Sequence, residues 1–296
     1  MTSRLRRAQT GEPTVAPPDG SVPYDEPLTP SALHRRLRTA HMGHRIYHYP
    51  EIGSTNDRAI ELAAAGEPEG SIVIAERQTR GRGRRDRTWI SADRLGLYLS
   101  MILRPGGEVS NAPLFTLLGS VATARALSSA CGCVARIKWP NDVIVKGRKI
   151  AGILGEVRSS APTLKELVLG IGINVNHEAA DFPSELGDRA TSVYLETGRR
   201  HDRCALLVEI LERFERCYLA VLRNGPEELL SAWRQLSAIP PGTRVSLRVG
   251  DELIEGILID IESDGALRLQ VGVGSTRRVA FGEIEATRGP AEADHA

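Results

Sequence analysis

The sequence has few cysteines and almost no net charge. Its four cysteines, at positions 131, 133, 204 and 217, lack the paired Cys-x-x-Cys spacing of a structural zinc site. Basic and acidic side chains nearly cancel to a formal net charge of +1, so no overall cationic field marks a dedicated nucleic-acid-binding protein. Local clusters must therefore carry any anion binding.

An apolar targeting segment is also missing. Residues 1–30 include basic side chains but no apolar h-region, and no run of about 18 apolar residues occurs in the chain. We therefore expect a cytoplasmic protein with no membrane partner, whose cysteines are reduced thiols.

The amino-terminal segment is rich in proline. Six prolines lie in residues 1–30 among few apolar residues, and such a segment cannot offset its ordering entropy by burial. We predict a disordered, proline-rich extension over residues 1–43 that contains one short helix, Ala32 to Arg38, capped by Ser31. That helix is too short to form a DNA-reading helical domain.

The rest of the chain is long and apolar enough for one large and one small domain, with 41% hydrophobic residues in 296. Residues 44–238 combine strand and helix patterns irregularly. This favours an α+β domain with a mixed sheet over a regular doubly wound one. Strands are predicted at 46–49, 71–76, 97–103, 134–138, 142–145, 150–157 and 167–173, and helices at 56–63, 112–130, 203–223 and 226–236.

From residue 239 the pattern changes to short alternating strands. They are predicted at 244–249, 253–261, 267–271 and 277–281, and turn signals such as Ser263-Asp264-Gly265 separate them. We predict a small β-barrel, five-stranded or similar, over residues 239–289, and a disordered tail at 290–296.

A glycine-punctuated cationic loop follows the strand at 71–76. Its glycines, at 81 and 83, let the backbone approach a ligand, and its four arginines, at 82, 84, 85 and 87, supply bidentate donors for phosphate or carboxylate. The loop fits neither the Walker pattern nor the dinucleotide fingerprint, because Asp86 stands where the third glycine belongs. Taken alone, it is equally well a solvated basic turn.

Polar residues also interrupt the later strands. Lys138 and Lys149 bracket a strand pair, where a half-buried ammonium needs an anion such as a phosphoryl oxygen, although each side chain could instead extend to solvent. Asp142 could hold Mg²⁺ or orient a nucleophile, or form a plain turn with Asn141. The amide of Asn174 ends another strand, as a ligand contact or as a turn cap. Together these residues suggest an enzyme that holds a polyphosphate and an acid.

Five segments, in this order and spacing, resemble the biotin–protein ligases, also called biotin–[acetyl-CoA carboxylase] ligases. They span residues 52–176, and the β-rich region after residue 240 resembles that family's small carboxy-terminal domain. The resemblance implies a class II synthetase-like catalytic domain with a mixed sheet, followed by an SH3-like β-barrel. The segments are Gly53-Ser54-Thr55-Asn56, Gln78-Thr79-x-Gly81-Arg82-Gly83-Arg84-Arg85-x-Arg87-x-Trp89, Lys138-Trp139-Pro140-Asn141-Asp142, Lys149-Ile150-Ala151-Gly152-Ile153-Leu154 and Gly170-x-Gly172-Ile173-Asn174.

The activity implied by this resemblance is a two-step ligation that uses biotin, ATP and Mg²⁺. Biotin carboxylate attacks the α-phosphate of MgATP to give biotinyl-5′-AMP and pyrophosphate, and a lysine of a biotin carboxyl carrier domain of an acyl-CoA carboxylase then takes the biotinyl group. No specific DNA partner is expected, since the chain offers no winged helix. Lipoate–protein ligation, which shares the adenylating architecture, and a binding module without catalysis are the alternatives.

The same resemblance assigns the site residues. Catalytic roles fall to Lys149, Arg84 and Asp142, with Asp142 also the candidate metal ligand. The implied biotin-binding residues are Ser54, Thr55, Asn56, Gln78, Gly81, Arg82, Arg84, Lys149 and Gly152. The implied ATP-binding residues are Arg84, Arg87, Trp89, Lys138, Asn141, Asp142, Lys149 and Asn174.

One position departs from the family pattern. Asp86 stands where this family often has glycine. Its carboxylate could repel ATP or pair with Arg85 or Arg87, so we expect it to affect how firmly the adenylate is retained.

Overall fold

The computed structural model describes residues 27–157 and 162–290, which form six α-helices and twelve strands. Short 3₁₀ turns lie at Val109–Asn111, Ala179–Asp181 and Ser184–Arg189. The helices are α1 (Pro30–Arg36), α2 (Thr55–Ala64), α3 (Ala112–Cys131), α4 (Val193–Thr197), α5 (Arg203–Asn224) and α6 (Glu227–Leu236). The strands are β1 (Ile46–Ile52), β2 (Ile72–Gln78), β3 (Gly96–Leu103), β4 (Arg136–Lys138), β5 (Asp142–Val145), β6 (Arg148–Val157), β7 (Leu167–Asn174), β8 (Thr243–Val249), β9 (Glu252–Ile261), β10 (Leu267–Gly272), β11 (Ser275–Val279) and β12 (Glu283–Pro290).

Seven strands form the mixed sheet that the sequence predicts. Their order is β1-β2-β3-β7-β6-β5-β4. Strands β1 and β2 run parallel, while every other neighbouring pair is antiparallel. All eight residues of β3 are buried, because this near-continuous apolar strand lies inside the sheet and is covered on both faces. The predicted α+β class is confirmed.

Helix α3 is apolar on all sides because it is a core helix. With the turn before it, the segment Val109–Cys131 is long and apolar enough to cross a membrane, but 72% of its most apolar window is buried inside the fold. The helix packs against α5 and β6 and ends at Gly132 in a left-handed conformation, with φ 74°. Burial in the core accounts for its composition.

Residues 28–43 pack on the catalytic domain, so the prediction of an extension over residues 1–43 is wrong for this part. Leu28 and Leu33 have 0% exposure and belong to the main hydrophobic core. The side chain of Thr29, rather than Ser31, caps α1 by accepting a hydrogen bond from the backbone of Ala32. The predicted short helix is present as α1, and Leu28 and Leu33 anchor it in the core. Residues 1–26 and 291–296 lie outside the described residues.

Two buried carboxylates secure the same segment. The backbone N–H of Leu28 donates to Glu76 at 2.8 Å, and Glu76 pairs with Arg203 at 2.6 Å. Glu215 accepts from the backbone N–H groups of residues 40, 41 and 42 at 2.6–2.8 Å. These bonds satisfy backbone groups that would otherwise be buried without partners.

The five carboxy-terminal strands form one antiparallel sheet in the order β11-β10-β9-β8-β12. Four of them were predicted as strands, and β12 adds the fifth. The indole N–H of Trp139 donates to the carbonyl of Gly265 at 3.0 Å, and Arg234 pairs with Asp260 at 2.8 Å. These contacts hold the carboxy-terminal module on the catalytic domain, with the start of β12 facing the loop at 82–89.

Candidate active site

A cavity of about 800 Å³ lies between the sheet and the carboxy-terminal module. Every predicted site residue except Gly81 lines it. These lining residues are Ser54, Thr55, Asn56, Gln78, Arg82, Arg84, Arg87, Trp89, Lys138, Asn141, Asp142, Lys149, Gly152 and Asn174.

One end of the cavity is an uncharged polar pocket at the amino terminus of α2, where Ser54 caps the helix. The side-chain oxygen of Gln78 accepts from the backbone N–H and the hydroxyl of Thr55, at 2.8 and 3.1 Å. The side-chain amide of Gln78 donates to the hydroxyl of Ser91 at 3.0 Å. This network fixes the orientation of the amide before any ligand arrives.

Asn56 forms the wall behind this pocket. Its side-chain N–H donates to Glu156 at 2.6 Å, and its oxygen accepts from the hydroxyl of Ser100 at 2.5 Å. A β-carbon at Gly170 would collide with that amide, so the close approach requires glycine here. The protein itself therefore satisfies the polar atoms of Asn56.

Gly81 lies behind the cavity wall, at the start of the arginine-rich loop. Its carbonyl accepts from the backbone N–H of Trp89 at 2.9 Å, which closes the loop at its base. A β-carbon at Gly81 would collide with the carbonyl of Trp89. The glycine therefore serves the loop geometry.

The indole of Trp89 packs against two glycines, which form the floor of this part of the cavity. Gly152 and Gly172 pair across β6 and β7. A β-carbon would come within 3.2 Å of the indole at Gly152 and within 2.6 Å at Gly172. The ammonium of Lys149 lies 5.5 Å from the ring centroid, within the range of a cation–π contact. The floor keeps the aromatic ring beside the lysine.

Lys149 finds its anion inside the cavity. Its ammonium lies 2.6 Å from a carboxylate oxygen of Asp142, and the two side chains are 36% and 28% exposed. Strands β5 and β6 are neighbours in the sheet, which places both groups on the cavity side. The lysine therefore does not simply extend to bulk water, and its side chain stays partly exposed in the cavity beside Asp142.

Two further amides line the cavity, those of Asn141 and Asn174. Asn141 donates from its side chain to the carbonyl of Ile153 at 2.9 Å and accepts from Arg84 at 3.4 Å. Asn174 donates to the carbonyl of Thr191 at 3.0 Å, which ties β7 to the segment that follows it. Lys138 lies opposite Asp142 in the β4–β5 ladder.

The first two arginines of the loop have different partners. Arg82 pairs with Asp57 and Glu156, at 2.9 and 2.5 Å. Arg84 donates to the carbonyl of Gly282 at 3.1 Å. Burial and the neighbouring Arg85 guanidinium lower the pKa of Arg84 from its ordinary value.

Arg85 and Arg87 pair with Glu283 of the carboxy-terminal module, and not with Asp86. The distances are 3.1 Å for Arg85 and 2.7 Å for Arg87. Hydrogen bonds from Arg87 and the positive charges of Arg87 and Arg85 lower the pKa of Glu283. Asp86 itself is exposed and has φ 57°.

Other arginines of the carboxy-terminal module have carboxylate partners on its own surface. Arg248 pairs with Glu285 and Arg277 with Glu252. Arg278 pairs with Glu262.

Several site residues escaped the sequence analysis. Ser91, Ser100 and Glu156 support the ligand-lining amides, and Glu283 holds the arginine loop. A further wall comes from the irregular segment after β7. Its lining residues are Phe182, Leu186, Asp188, Arg189 and Ala190.

Within residues 27–157 and 162–290, no group of three histidine, cysteine, aspartate or glutamate side chains could hold a metal ion. Asp142 is engaged with Lys149. A single carboxylate such as Asp142 fits a metal ion that takes most of its ligands from phosphate oxygens and water.

Comparisons with known proteins agree with this architecture. Residues 50–174 match the model of the biotin/lipoate A/B protein ligase family, and residues 242–286 match the biotin protein ligase C terminal domain. The biotin–[acetyl-CoA-carboxylase] ligase of Mycobacterium tuberculosis is 35% identical over 269 residues, covering 87% of this chain and 95% of that protein. The bifunctional ligase/repressor BirA of Bacillus spizizenii is 35% identical over 258 residues, covering 87% and 79%.

Solved structures give the same answer. The biotin protein ligase from Aquifex aeolicus in complex with biotin and ATP aligns with a TM-score of 0.71 and 29% identity, over 83% of this chain and 99% of that one. Sequence, fold and both domain matches converge, and the chain belongs to the biotin protein ligase family.

Proposed function

We propose that the chain joins biotin to ATP to form biotinyl-5′-AMP, and then passes the biotinyl group to a lysine of a biotin carboxyl carrier domain of an acyl-CoA carboxylase. The observation that carries this function is the place of Lys149, whose ammonium shares one cavity with the neutral polar pocket at Gln78 and with the arginine loop. An adenylating enzyme needs all three features. It must hold an uncharged head group, stabilise the reacting carboxylate and bind a polyphosphate.

Biotin occupies the neutral end in this proposal. Its ureido ring meets the polar groups of Ser54, Thr55 and Gln78, while its apolar part lies towards Gly152. Trp89, beside Gly152, belongs to the nucleotide in this proposal. Asn56 and Gly81 shape the pocket from behind, and Arg82 closes its rim through Asp57 and Glu156.

In the first step, a carboxylate oxygen of biotin attacks the α-phosphorus of ATP. The bond between that phosphorus and the oxygen bridging to the β-phosphate breaks, and pyrophosphate leaves. The ammonium of Lys149 offsets the negative charge that develops on the transferring group. Removal of one such preorganised donor costs about 10²–10³ in rate in other enzymes.

The remaining cations hold the phosphates. Arg84, Arg87 and Lys138 line the cavity, and the amides of Asn141 and Asn174 fix the neighbouring wall. Asp142 is the carboxylate that would hold a Mg²⁺ ion bound with the nucleotide, and the ion would supply positive charge to the phosphates.

In the second step, the amine of the acceptor lysine attacks the carbonyl carbon of the mixed anhydride. The bond to the phosphate oxygen breaks and AMP leaves, while the amine loses a proton. The carboxylate of Asp142, next to Lys149, is placed to position that amine and accept its proton. We assign the reaction to the cytoplasm, because the chain's free cysteines suit a reducing compartment. No DNA or membrane partner is part of this proposal.

The test is transfer of biotin to a purified carrier domain with MgATP, comparing wild type, Lys149→Ala and Lys165→Ala. Lys165 is an exposed lysine outside the cavity and serves as the matched control. We expect wild type and Lys165→Ala to transfer biotin equally, and Lys149→Ala to lose about 100-fold or more in rate.

Each other outcome points elsewhere. Transfer of lipoate but not of biotin would replace biotin with lipoate as the substrate. Binding of biotin and ATP by wild type without pyrophosphate release would leave a binding module. Equal transfer by Lys149→Ala would remove the lysine from its assigned role.

A further inference from the structure

Glu283, the first residue of β12, holds two arginines of the loop at once. Arg87 donates from both terminal nitrogens to the two carboxylate oxygens, at 2.8 and 2.7 Å. Arg85 donates to one of the same oxygens at 3.1 Å. A carboxylate of the carboxy-terminal module thus fixes cations that line the catalytic cavity.

Backbone carbonyls next to this carboxylate extend the contact. The carbonyl of Gly282 accepts from Arg84, and the carbonyl of Arg248 accepts from Arg85, each at 3.1 Å. Three of the four loop arginines are therefore held by one edge of the module. The segment Gly282–Glu283 and the neighbouring strand β8 form a docking edge for the loop.

The loop needs such support because its backbone is unfavourable. Arg85 and Asp86 have φ of 54° and 57°, the left-handed region that residues with a β-carbon rarely adopt. Two consecutive residues in this conformation do not persist without outside contacts. The docking edge supplies those contacts from across the cavity.

The same contacts leave the arginines able to bind a nucleotide. A guanidinium carries five N–H donors, and the pairing with Glu283 occupies only part of those on Arg87. The side chain of Arg87 is 65% exposed, so its other donors are open to a ligand. Glu283 can therefore stay bound to Arg87 while phosphate oxygens bind the remaining N–H donors of the guanidinium. The entropy cost of ordering the Arg87 side chain is then met before ATP binds.

We propose that Glu283 is a positioning residue for the adenylation step, and that it presets Arg85 and Arg87 for the phosphates of ATP. This inference rests on the proposed function, since it takes ATP as the ligand. It makes the carboxy-terminal module a part of the nucleotide site. The hydrogen bonds from Arg87 keep the pKa of Glu283 low, so the carboxylate stays ionised at neutral pH.

The experiment compares Glu283→Gln with Glu285→Gln in biotin-dependent exchange of pyrophosphate into ATP. Glu285 lies two residues further along the same strand and is hydrogen-bonded to Arg248 rather than to the loop. We expect Glu283→Gln to raise the KM for ATP about three- to fivefold, the range of partly exposed ion pairs. The kcat and the KM for biotin should stay within about twofold of wild type, since the biotin end does not contact Glu283. Glu285→Gln should match wild type in all three.

Two further measurements separate positioning from a general loss of structure. Glu283→Gln combined with Arg85→Ala and Arg87→Ala should have the same KM for ATP as the two arginine substitutions alone, because Glu283 acts through these arginines. Glu283→Asp, which keeps the charge, should recover part of the loss. Without ligand, trypsin should cut within residues 84–87 faster in Glu283→Gln than in Glu285→Gln.

The overturning results are distinct. An unchanged KM for ATP in Glu283→Gln would show that the loop is ordered by other contacts. A lowered KM would show that Glu283 competes with ATP for the arginines. If Glu283→Gln raises the KM for ATP equally in the variant that lacks Arg85 and Arg87, Glu283 acts on the nucleotide directly. If wild type shows no exchange at all, the proposed function fails and not this inference alone.

Discussion

The two ends of the cavity are built in opposite ways. At the end proposed for biotin, Thr55, Ser91 and Ser100 are buried, with 4%, 6% and 0% exposure, and Gln78 accepts from Thr55 and donates to Ser91. At the phosphate end, the cations lie on an exposed loop whose partners belong to another module.

The difference shows which physical interactions each ligand needs. A neutral head group is selected by hydrogen-bond donors and acceptors that are fixed in a buried wall, where leaving a polar group unpaired costs free energy. A polyphosphate is bound by charges that can shift, and exposed ion pairs contribute little each and are screened by salt. The biotin end should therefore be rigid and insensitive to salt, while the phosphate end should be adaptable and salt-dependent.

Gln78→Leu tests the rigid end of the cavity and should have the largest effect on ligand binding. It leaves the N–H and hydroxyl of Thr55 without their acceptor and removes the donor to Ser91. An unsatisfied buried polar group costs about 1–3 kcal/mol, so the Kd for biotin should rise at least about fivefold and the thermal midpoint should fall. Titration calorimetry without ATP and thermal unfolding measure both.

The control for this substitution is Gln270→Leu, which changes an exposed glutamine of β10. It should leave biotin binding unchanged. If Gln78→Leu binds biotin as tightly as wild type does, the pocket at Gln78 is not the biotin end of the cavity.

The strands behind the rigid end could be predicted from sequence, whereas its site residues followed from the family resemblance, and Ser91 and Ser100 were missed. The glycines at 152, 170 and 172 stood out within apolar strands, and the structure explains each by a side chain that lies against it, Trp89 or Asn56. Strand bounds followed from apolar runs such as β3, whose residues are all buried. Periodicity therefore predicted the strands, and the family resemblance assigned the residues on them.

The exposed end could not be predicted in the same way. Glu283 is 196 residues from Arg87 along the chain and resembles any other acidic residue of a surface strand. Its role depends on how the two modules pack, which no local pattern encodes. For the same reason, the proline-rich composition suggested disorder up to residue 43, whereas Leu28 and Leu33 are buried by tertiary contacts.

Added salt tests the contrast between the two ends and should have an intermediate effect on ligand binding. Raising ionic strength from about 0.1 M to about 1 M shortens the Debye length from about 10 Å to about 3 Å. The KM for ATP should then rise several-fold, because Arg85 and Arg87 are 38% and 65% exposed. The Kd of biotinamide, an uncharged analogue, should change less than about twofold, since Ser54, Thr55 and Gln78 offer it uncharged groups and the ion pairs of Arg82 lie only at the rim of its pocket.

Sucrose at matched osmolarity serves as the control for water activity in the salt experiment. It should leave both constants unchanged. Salt dependence of biotinamide binding equal to that of ATP would contradict the contrast between the two ends.

Asp86→Gly tests the loop itself and should have the smallest effect. Asp86 is exposed and left-handed, with φ 57°, a conformation that glycine adopts without the steric cost of a β-carbon. The substitution also removes a carboxylate beside the arginines that are proposed to meet the phosphates. Both changes favour the closed loop, so release of preformed biotinyl-5′-AMP should slow by about twofold.

Asp251→Gly, in an exposed turn of the carboxy-terminal module, is the control and should release the adenylate at the wild-type rate. An unchanged release rate in Asp86→Gly would mean that neither the backbone strain nor the charge of Asp86 governs adenylate retention, and the loop would then owe its closure to Glu283 and the carbonyls beside it.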